Sequence, residues 1–298
     1  MGRAPGCSRG LWMEQLPDTS HLPVTRFGVI IKEETKDKEM AIMNTVTLRF
    51  YAELGDLLDP GFRGRTFEHH FWGQAQAKDL IESLGVPHTE VELLLVDGQP
   101  APFTRVLTGG EHLSVYPHFR TLDVSGTTRI TENILARPPV RFAADAHLGK
   151  LARYLRMAGF DTLWDRSLAE EELALRADEE DRMLLTRDRG LLKRVLVARG
   201  SYVHTQDPED QLAEVIDRFR LENCLQPFSR CMHCNVPVIP VPKEEVSDRL
   251  PPEVRKHCQA FTRCPACNRI YWQGTHHEHM ERLLCRIRKE PPVPTGLG

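Results

Sequence analysis

The chain has 298 residues, of which 41% are hydrophobic and 27% are charged, and its formal net charge is −3. This composition is ordinary for a soluble globular protein, and the length predicts two or three domains. The net charge of −3 excludes a protein that attracts nucleic acid through its overall charge. No apolar run approaches the ~20 residues of a membrane span. Because the N-terminal segment also lacks the pattern of a secretory signal, we expect a cytoplasmic protein without a membrane partner.

The N-terminal part of the sequence divides into an extension and a small domain. Residues 1–44 are predicted to be a disordered extension, and Met40 or Met43 is an alternative start. Residues 45–120 follow the order β-β-α-β-β, which resembles the β-grasp fold of ubiquitin and sulfur carriers. Gly109-Gly110 precedes the last strand instead of ending the chain, so carrier chemistry is not supported and a module that contacts a protein partner or the substrate is expected. The predicted strands are 46–50, 66–70, 91–96 and 112–116, and the predicted helix is 76–84.

Two further segments are predicted to lack structure of their own. Residues 121–138 are polar and lead into Pro138-Pro139, which is typical of a linker. Residues 291–298 contain only Pro, Gly, Val, Thr and Leu and are predicted to be a disordered tail.

Residues 139–224 repeat one unit four times: a short apolar strand, an aspartate where the strand ends, and an amphipathic helix. Strands that alternate with helices predict a parallel sheet flanked by helices, whose strand ends meet at one edge. Like charges collected there are costly unless a cation lies among them, so the pattern predicts a divalent-metal site. The four aspartates are Asp145, Asp165, Asp188 and Asp207.

Each acidic position also has a structural interpretation. Asp188 lies directly before a helix and is placed to cap it, although capping does not explain the recurrence at the other strand ends. The run Glu170-Glu171-Glu172 opens a helix, where acidic residues are expected from the helix dipole alone. Lys150, Arg153 and Arg156 lie off the apolar stripe of the first helix and face either phosphates or solvent.

Two runs of this region closely resemble the Mut-seven C-terminal RNase domain, a PIN-like nuclease. They extend from Phe142 to Asp161, including Ala-Ala-Asp-Ala-His-Leu-Gly-Lys, and from Met183 to Lys193, including Leu-Leu-Thr-Arg-Asp-Arg-Gly. Bacterial members have a ubiquitin-like domain before this domain and a zinc ribbon after it, and the resemblance covers about residues 45–285. It implies metal-dependent cleavage of RNA.

The family's acidic positions fall on four residues of this chain: Asp145, Glu172 with Glu171 as the alternative, Asp188, and Asp207 with Asp210 as the alternative. Members often have a second acidic residue directly after the first. Here Ala146 and His147 follow Asp145, which leaves open whether one or two metals are held.

The expected chemistry is hydrolysis of a phosphodiester bond with Mg²⁺ or Mn²⁺ held by Asp145 and Asp188. No residue needs to act as a covalent nucleophile. The substrate-binding candidates are the basic residues Lys150, Arg153, Arg187, Arg189 and Lys193. The alternative is an RNA-binding adaptor without turnover, which is disfavoured because both aspartates are present.

The C-terminal residues 225–290 carry two C-x-x-C pairs, Cys231/Cys234 and Cys264/Cys267, separated by 29 residues. Four thiolates complete a tetrahedral Zn²⁺ site with no open position, so a structural zinc ribbon is predicted. The same segment has 11 Lys/Arg against 7 Asp/Glu, which suits an RNA partner. Tyr271 is a candidate for base stacking, as is Trp272. The other cysteines have no matching spacing and are expected to be free thiols.

Overall fold

The computed structural model describes residues 42–118 and 140–288. The predicted linker, the predicted tail and the predicted extension up to residue 41 lie outside these ranges. Among the helices of the described residues, none is both long enough and apolar enough to cross a bilayer.

The N-terminal domain is a mixed five-stranded sheet with one helix. Val46, Leu48 and Phe50 are buried on one face of the first strand, as their alternation with polar residues predicts. The elements are β1 Met43–Phe50, β2 Phe67–Trp72, β3 Ala75–Gln76, α1 Ala77–Ser83, β4 Val91–Val96, β5 Gln99–Pro100, β6 Val106–Leu107 and β7 His112–Pro117. All four predicted strands and the predicted helix are confirmed. The sheet order is β2-β1-β7-β4-β5, with β1 and β7 parallel.

The second domain contains the predicted parallel sheet, with strand order β11-β10-β8-β9. Successive residues of β8 face opposite sides: Phe142 packs with α2 and α5, whereas Ala143 packs with α3. Helices therefore cover both faces, as a parallel sheet requires. The elements are β8 Arg141–Ala144, α2 Gly149–Met157, β9 Asp161–Leu163, α3 Glu170–Glu179, β10 Met183–Thr186, α4 Arg189–Leu192, β11 Gly200–Tyr202 and α5 Pro208–Arg218.

Helix α2 ends two residues before Gly159, and glycine is the residue type that typically stops a helix. Gly159 has a φ of +102°, and a Cβ there would lie 2.4 Å from the carbonyl oxygen of Gln226. Only glycine combines this backbone conformation with so close a contact. The turn after α2 is therefore packed directly against the start of the C-terminal segment.

The sequence predicts a helix over residues 191–198, but the helix after β10 stops early. It ends at Leu192, and the chain then turns so that Val197 is buried while Val195 is 90% exposed. On a continuous helix Val197 would lie about 240° around the axis from Leu191, since each residue adds 100°. Burying both side chains in one core therefore requires the helix to stop.

The C-terminal segment forms a small antiparallel sheet and then returns to the second domain. Met280, Leu283 and Leu284 of the last helix lie in the same core as Phe142. The hydrophobic core of the parallel-sheet domain thus includes residues on both sides of the cysteine-rich segment. The elements are β12 Ile239–Val241, α6 Lys243–Val246, α7 Pro252–His257, β13 Phe261–Arg263, β14 Ile270–Trp272 and α8 Thr275–Arg288.

The N-terminal domain packs against β11, an edge strand of the parallel sheet. Glu90 is 1% exposed, and its carboxylate accepts hydrogen bonds from the Tyr202 N–H (2.7 Å) and the Arg218 guanidinium (2.9 Å). Burial raises the pKa of this carboxyl group. The charge of Arg218, the hydrogen bond from the Tyr202 N–H and the nearby His204 ring (3.9 Å) outweigh burial and lower the pKa to about 2. A buried carboxylate thus accepts the backbone hydrogen bond that a neighbouring strand would otherwise accept at this edge.

Three further contacts cross the same junction. The His88 ring lies 3.1 Å from the carbonyl oxygen of Val197, and Lys193 donates to the carbonyl of Glu82 (2.7 Å). Arg189 donates to the carbonyl of Leu57 (2.8 Å). The two domains are therefore joined by a set of specific polar contacts around Glu90.

We expect Glu90→Gln to lower the free energy of unfolding at pH 7 by about 3 kcal/mol, because Arg218 is left buried without a counter-ion. The folded-state pKa of about 2 lies below the usual 4.5, so the stabilisation is complete above pH 4.5 and is lost as the pH falls toward 2. Urea unfolding of both proteins at pH 7 and at pH 3 measures this difference. Glu68→Gln, at an exposed site on β2, is the matched control. Equal losses in the two variants at pH 7 would contradict the role of Glu90.

Candidate active site and cysteine cluster

Asp145 directly follows β8 at the carboxyl edge of the parallel sheet. It is 5% exposed, and it caps the short 3₁₀ turn that leads into α2. One carboxylate oxygen accepts from the His147 N–H (2.8 Å), and the other accepts from the Arg187 N–H (3.2 Å) and the Thr186 hydroxyl. Every one of these partners is a donor, so the surroundings suit a carboxylate of fixed orientation.

Thr186, the last residue of β10, connects the first aspartate to the second. Its hydroxyl donates to Asp145 and accepts from the backbone N–H of Asp188 (2.9 Å). Thr186 was not predicted as a site residue, because a threonine at the end of a strand belongs to no recognisable spacing pattern. Its position in the Thr-Arg-Asp run directly before Asp188 is the feature of the sequence that could have identified it.

Asp188 caps α4, as its structural interpretation predicts, and accepts from the Gly190 N–H (2.6 Å). It is exposed, and it lines the same cleft as Asp145. Capping and a place in the cleft are thus compatible. The cleft has a volume of about 560 Å³ and is lined by Asp145, Ala146, His147, Leu168, Glu170, Leu173, Arg187, Asp188 and Arg189.

The acidic residue from α3 that lines this cleft is Glu170. Glu172 and its alternative Glu171 are exposed and do not line it. Glu170 and Glu171 both accept from Arg194, at 3.0 and 2.7 Å. Which of three consecutive glutamates faces the cleft depends on how the chain enters the helix, and sequence spacing does not give that. The role of Glu172 stays a prediction.

Asp207 lies in a different cleft from Asp145 and Asp188. It caps α5, accepting from the N–H groups of Glu209 (2.9 Å) and Asp210 (3.4 Å), and it lines a cleft next to the cysteine cluster. The four predicted carboxylates are therefore divided: two share one cleft, one lies in another, and Glu172 lies in neither. A catalytic role for Asp207 stays a prediction.

The predicted substrate-binding cations are also divided. Arg187 lines the Asp145 cleft and donates to the carbonyl of Thr205, and Arg189 lines it while lying over the Tyr202 ring (5.6 Å). Lys193 does not line it, because its amino group is bonded to the N-terminal domain. Lys150 and Arg153 line the second cleft.

The four cysteines of the two C-x-x-C pairs form one compact cluster. Their sulfur atoms lie within 4.8 Å of one another, and Cys231 and Cys267 are 3.7 Å apart. Tetrahedral zinc with Zn–S bonds of about 2.3 Å places its sulfurs about 3.8 Å apart, so the donor set fits this ion. Within residues 42–118 and 140–288 this is the one group of three or more potential metal ligands whose donor atoms converge.

The surroundings of the cluster favour one thiolate strongly. Burial raises the pKa of Cys231, but hydrogen bonds from the Tyr271 hydroxyl (3.0 Å) and the Cys234 N–H lower it to about 7. The hydrogen bond between Cys234 and Cys267, followed by burial, raises the pKa of Cys234 to about 12. The first thiolate opposes ionisation of its neighbours, and a bound cation is what allows all four to ionise.

Arg156 joins the cysteine cluster to the parallel-sheet domain, and its burial rules out the phosphate-facing or solvent-facing position expected from the sequence. It is 4% exposed and donates to the carbonyls of Thr162 (3.0 Å), Met232 (3.2 Å) and His233 (2.8 Å). Desolvation lowers its pKa, and the nearby Cys231 and Cys234 oppose that change. An amphipathic pattern alone does not distinguish a buried arginine from an exposed one.

These features define an α/β protein that has an acidic cleft at the carboxyl edge of a parallel sheet, a β-grasp domain before the sheet and a four-cysteine cluster after it. The family model described as the Mut7-C RNAse domain matches residues 140–284, and the one described as Mut7-C ubiquitin matches residues 43–123. The chain therefore contains a Mut7-C RNase domain after a Mut7-C ubiquitin-like domain, and the RNase domain suggests a nuclease role. Neither the curated proteins nor the solved structures give a match.

We expect the purified protein to contain one zinc ion per chain and Cys264→Ser to lose it, since three thiolates no longer close the tetrahedral shell. Elemental analysis, together with the visible absorption of the cobalt-substituted protein, measures this. Cys224→Ser removes an exposed cysteine outside the cluster and serves as the control. Full zinc content in the Cys264 variant would contradict the assignment.

Proposed function

We propose that this protein is a metal-dependent ribonuclease in which a PIN-like sheet holds the catalytic carboxylates and a zinc ribbon supports the fold. The observation that carries the proposal is the connection Asp145–Thr186–Asp188. It couples the ends of two adjacent parallel strands, and both aspartates line one cleft. The match of residues 140–284 to the Mut7-C RNAse domain model supports the nuclease class.

The cleft fits Mg²⁺ or Mn²⁺ in its donor chemistry. Both ions prefer carboxylate oxygens, and Mg²⁺ is usually held by one or two carboxylates together with water and substrate phosphates. Asp145 and Asp188 supply that number, and Glu170 at the rim offers a third. When bound, the ion would activate water and neutralise charge on the scissile phosphate.

The remaining steps fall to side chains of the chain itself. Asp145 is held by three donors and therefore cannot rotate away when a charged substrate enters. The guanidinium of Arg187 is oriented by the carbonyl of Thr205, and that of Arg189 by the carbonyl of Leu57. Both have further N–H groups to donate to phosphate oxygens. The N-terminal domain thus positions one of the two cations that line the cleft.

A second candidate function is an RNA-binding adaptor without turnover. It is supported by the dispersal of the predicted carboxylates, since among the described residues no three of them converge on one point. Asp145 and Asp188 favour the nuclease, because an adaptor has no need of two carboxylates that repel RNA.

We expect Mg²⁺- or Mn²⁺-dependent cleavage of a labelled single-stranded RNA, lowered at least about a hundredfold by Asp145→Asn and by Asp188→Asn, since each removes metal-binding charge. Asp165→Asn is the matched control: it makes the same change at the end of β9, where the side chain bonds Ser167 and lies outside the cleft. Gel analysis of initial rates measures the effect.

Three outcomes separate the two candidate functions. Loss of cleavage in the Asp145 and Asp188 variants alone supports the nuclease. Equal rates in all variants would show that the activity comes from another site or a contaminant. RNA binding without metal-dependent cleavage in the unmodified protein would establish the adaptor.

A further inference from the structure

A second cleft, of about 570 Å³, lies between α2, the start of α5 and the cysteine cluster. It differs from the Asp145 cleft in the charge of its lining. Lys150, Arg153 and Arg269 contribute three cations, and Asp207 and Glu209 contribute two carboxylates. This cleft is not part of the metal site proposed above.

The three cations have no ionic partner within the described residues. Lys150, Arg153 and Arg269 are exposed and form no ion pair or side-chain hydrogen bond there. Glu209 is already neutralised by His279 and Arg286, each at 2.8 Å. Three unpaired cations in one concave site favour an anionic ligand with several charges.

Aromatic rings complete the walls of the cleft. Tyr154 and Tyr271 line it together with Met232. The Tyr271 hydroxyl is held by Cys231 at 3.0 Å, so the position of its ring is fixed by the cluster. Cations interleaved with aromatic rings are typical of surfaces that bind a single nucleic-acid strand, since phosphates meet the charges and bases stack on the rings.

Rigid contacts set the distance between the two halves of the cleft. Arg156 bonds the carbonyls of Met232 and His233, and the Asn235 amide bonds both Asp161 (2.7 Å) and the N–H of Thr162 (3.0 Å). The first cysteine pair is thereby fixed to α2 and β9. Arg269, beside the second pair, stays opposite Lys150 and Arg153 for as long as the cluster is intact.

Helix α2 links this cleft to the Asp145 cleft. Asp145 caps the turn that runs into α2, while Lys150 and Arg153 lie at the start of α2, one turn apart and about 4.5 Å along its axis. A strand that follows this end of the helix passes from the cations to the aspartates.

We propose that the second cleft binds phosphates of single-stranded RNA, next to the RNA segment that lies in the Asp145 cleft. The residues around the cysteine cluster then form part of the RNA-binding site. The part of this proposal that links the second cleft to RNA cleavage rests on the proposed function. The second cleft binds the RNA strand through charge and stacking, and the Asp145 cleft cleaves the strand.

The test is the salt dependence of binding to a short labelled oligouridylate, measured by fluorescence anisotropy with the full chain and without added Mg²⁺ or Mn²⁺. Each lost phosphate contact lowers the slope of log K against log salt by about 0.7 for a single strand. Arg269→Ala should lower it by about 0.7, and Lys150→Ala with Arg153→Ala by about 1.4. Lys256→Ala, an exposed cation of the same segment outside the cleft, should leave it unchanged.

Zinc content checks that each variant keeps the cluster. Hydrolysis of bis(4-nitrophenyl) phosphate by the unmodified protein tests the Asp145 site separately, because this substrate is too small to span both clefts. Lower slopes in the variants, together with hydrolysis by the unmodified protein, support both proposals. Lower slopes without any hydrolysis by the unmodified protein keep the RNA cleft and remove the nuclease. Unchanged slopes in zinc-replete variants overturn the cleft, and weakened binding of polyglutamate in those variants would assign it to an acidic protein.

Discussion

The parallel sheet has four strands, and backbone N–H groups on both of its edge strands need hydrogen-bond partners. Side chains from the flanking segments supply these partners. At one edge the Glu90 carboxylate accepts from the N–H of Tyr202 in β11. At the other edge the Asn235 amide oxygen accepts from the N–H of Thr162 in β9. An open edge leaves polar backbone groups unpaired and available to other chains. The arrangement of the three parts of the molecule follows from this requirement.

Buried charge accompanies each closure. Glu90 is paired with Arg218. Thr162, which is bonded to Asn235, also accepts from Arg156, whose guanidinium donates to four backbone carbonyls. Removing a charge from water is costly unless it is paired and fully hydrogen-bonded, so each junction tolerates little displacement. The same rigidity places Arg189 at the Asp145 cleft and Arg269 at the second cleft. The flanking segments therefore contribute to the surfaces where a polyanion would bind, as well as to stability.

Local features of the fold could be predicted from the sequence, whereas long-range ones could not. The strand at 91–96, the parallel sheet and the cysteine cluster follow from periodicity and spacing, which act over a few residues. Arg156 and Glu90 are buried by contacts with residues more than 70 positions away, and no local pattern distinguishes them from surface charges. Within the site, Asp145 and Asp188 were placed correctly at one edge. The division of Asp207 from them depends on where α5 begins relative to the cysteine cluster.

That division has a physical reason if the molecule acts on RNA. Lysine or arginine side chains that paired with Asp145 and Asp188 would compete with a metal ion for the same oxygens. The two arginines that line this cleft are instead hydrogen-bonded to backbone carbonyls. Carboxylates that paired with the cations of the second cleft would in turn compete with phosphates. The Glu209 carboxylate there is occupied by His279 and Arg286, and the Asp207 carboxylate caps α5. Separating the two clefts along one helix keeps each charge available to its own ligand. A single cluster of all these carboxylates and cations would have neutralised itself.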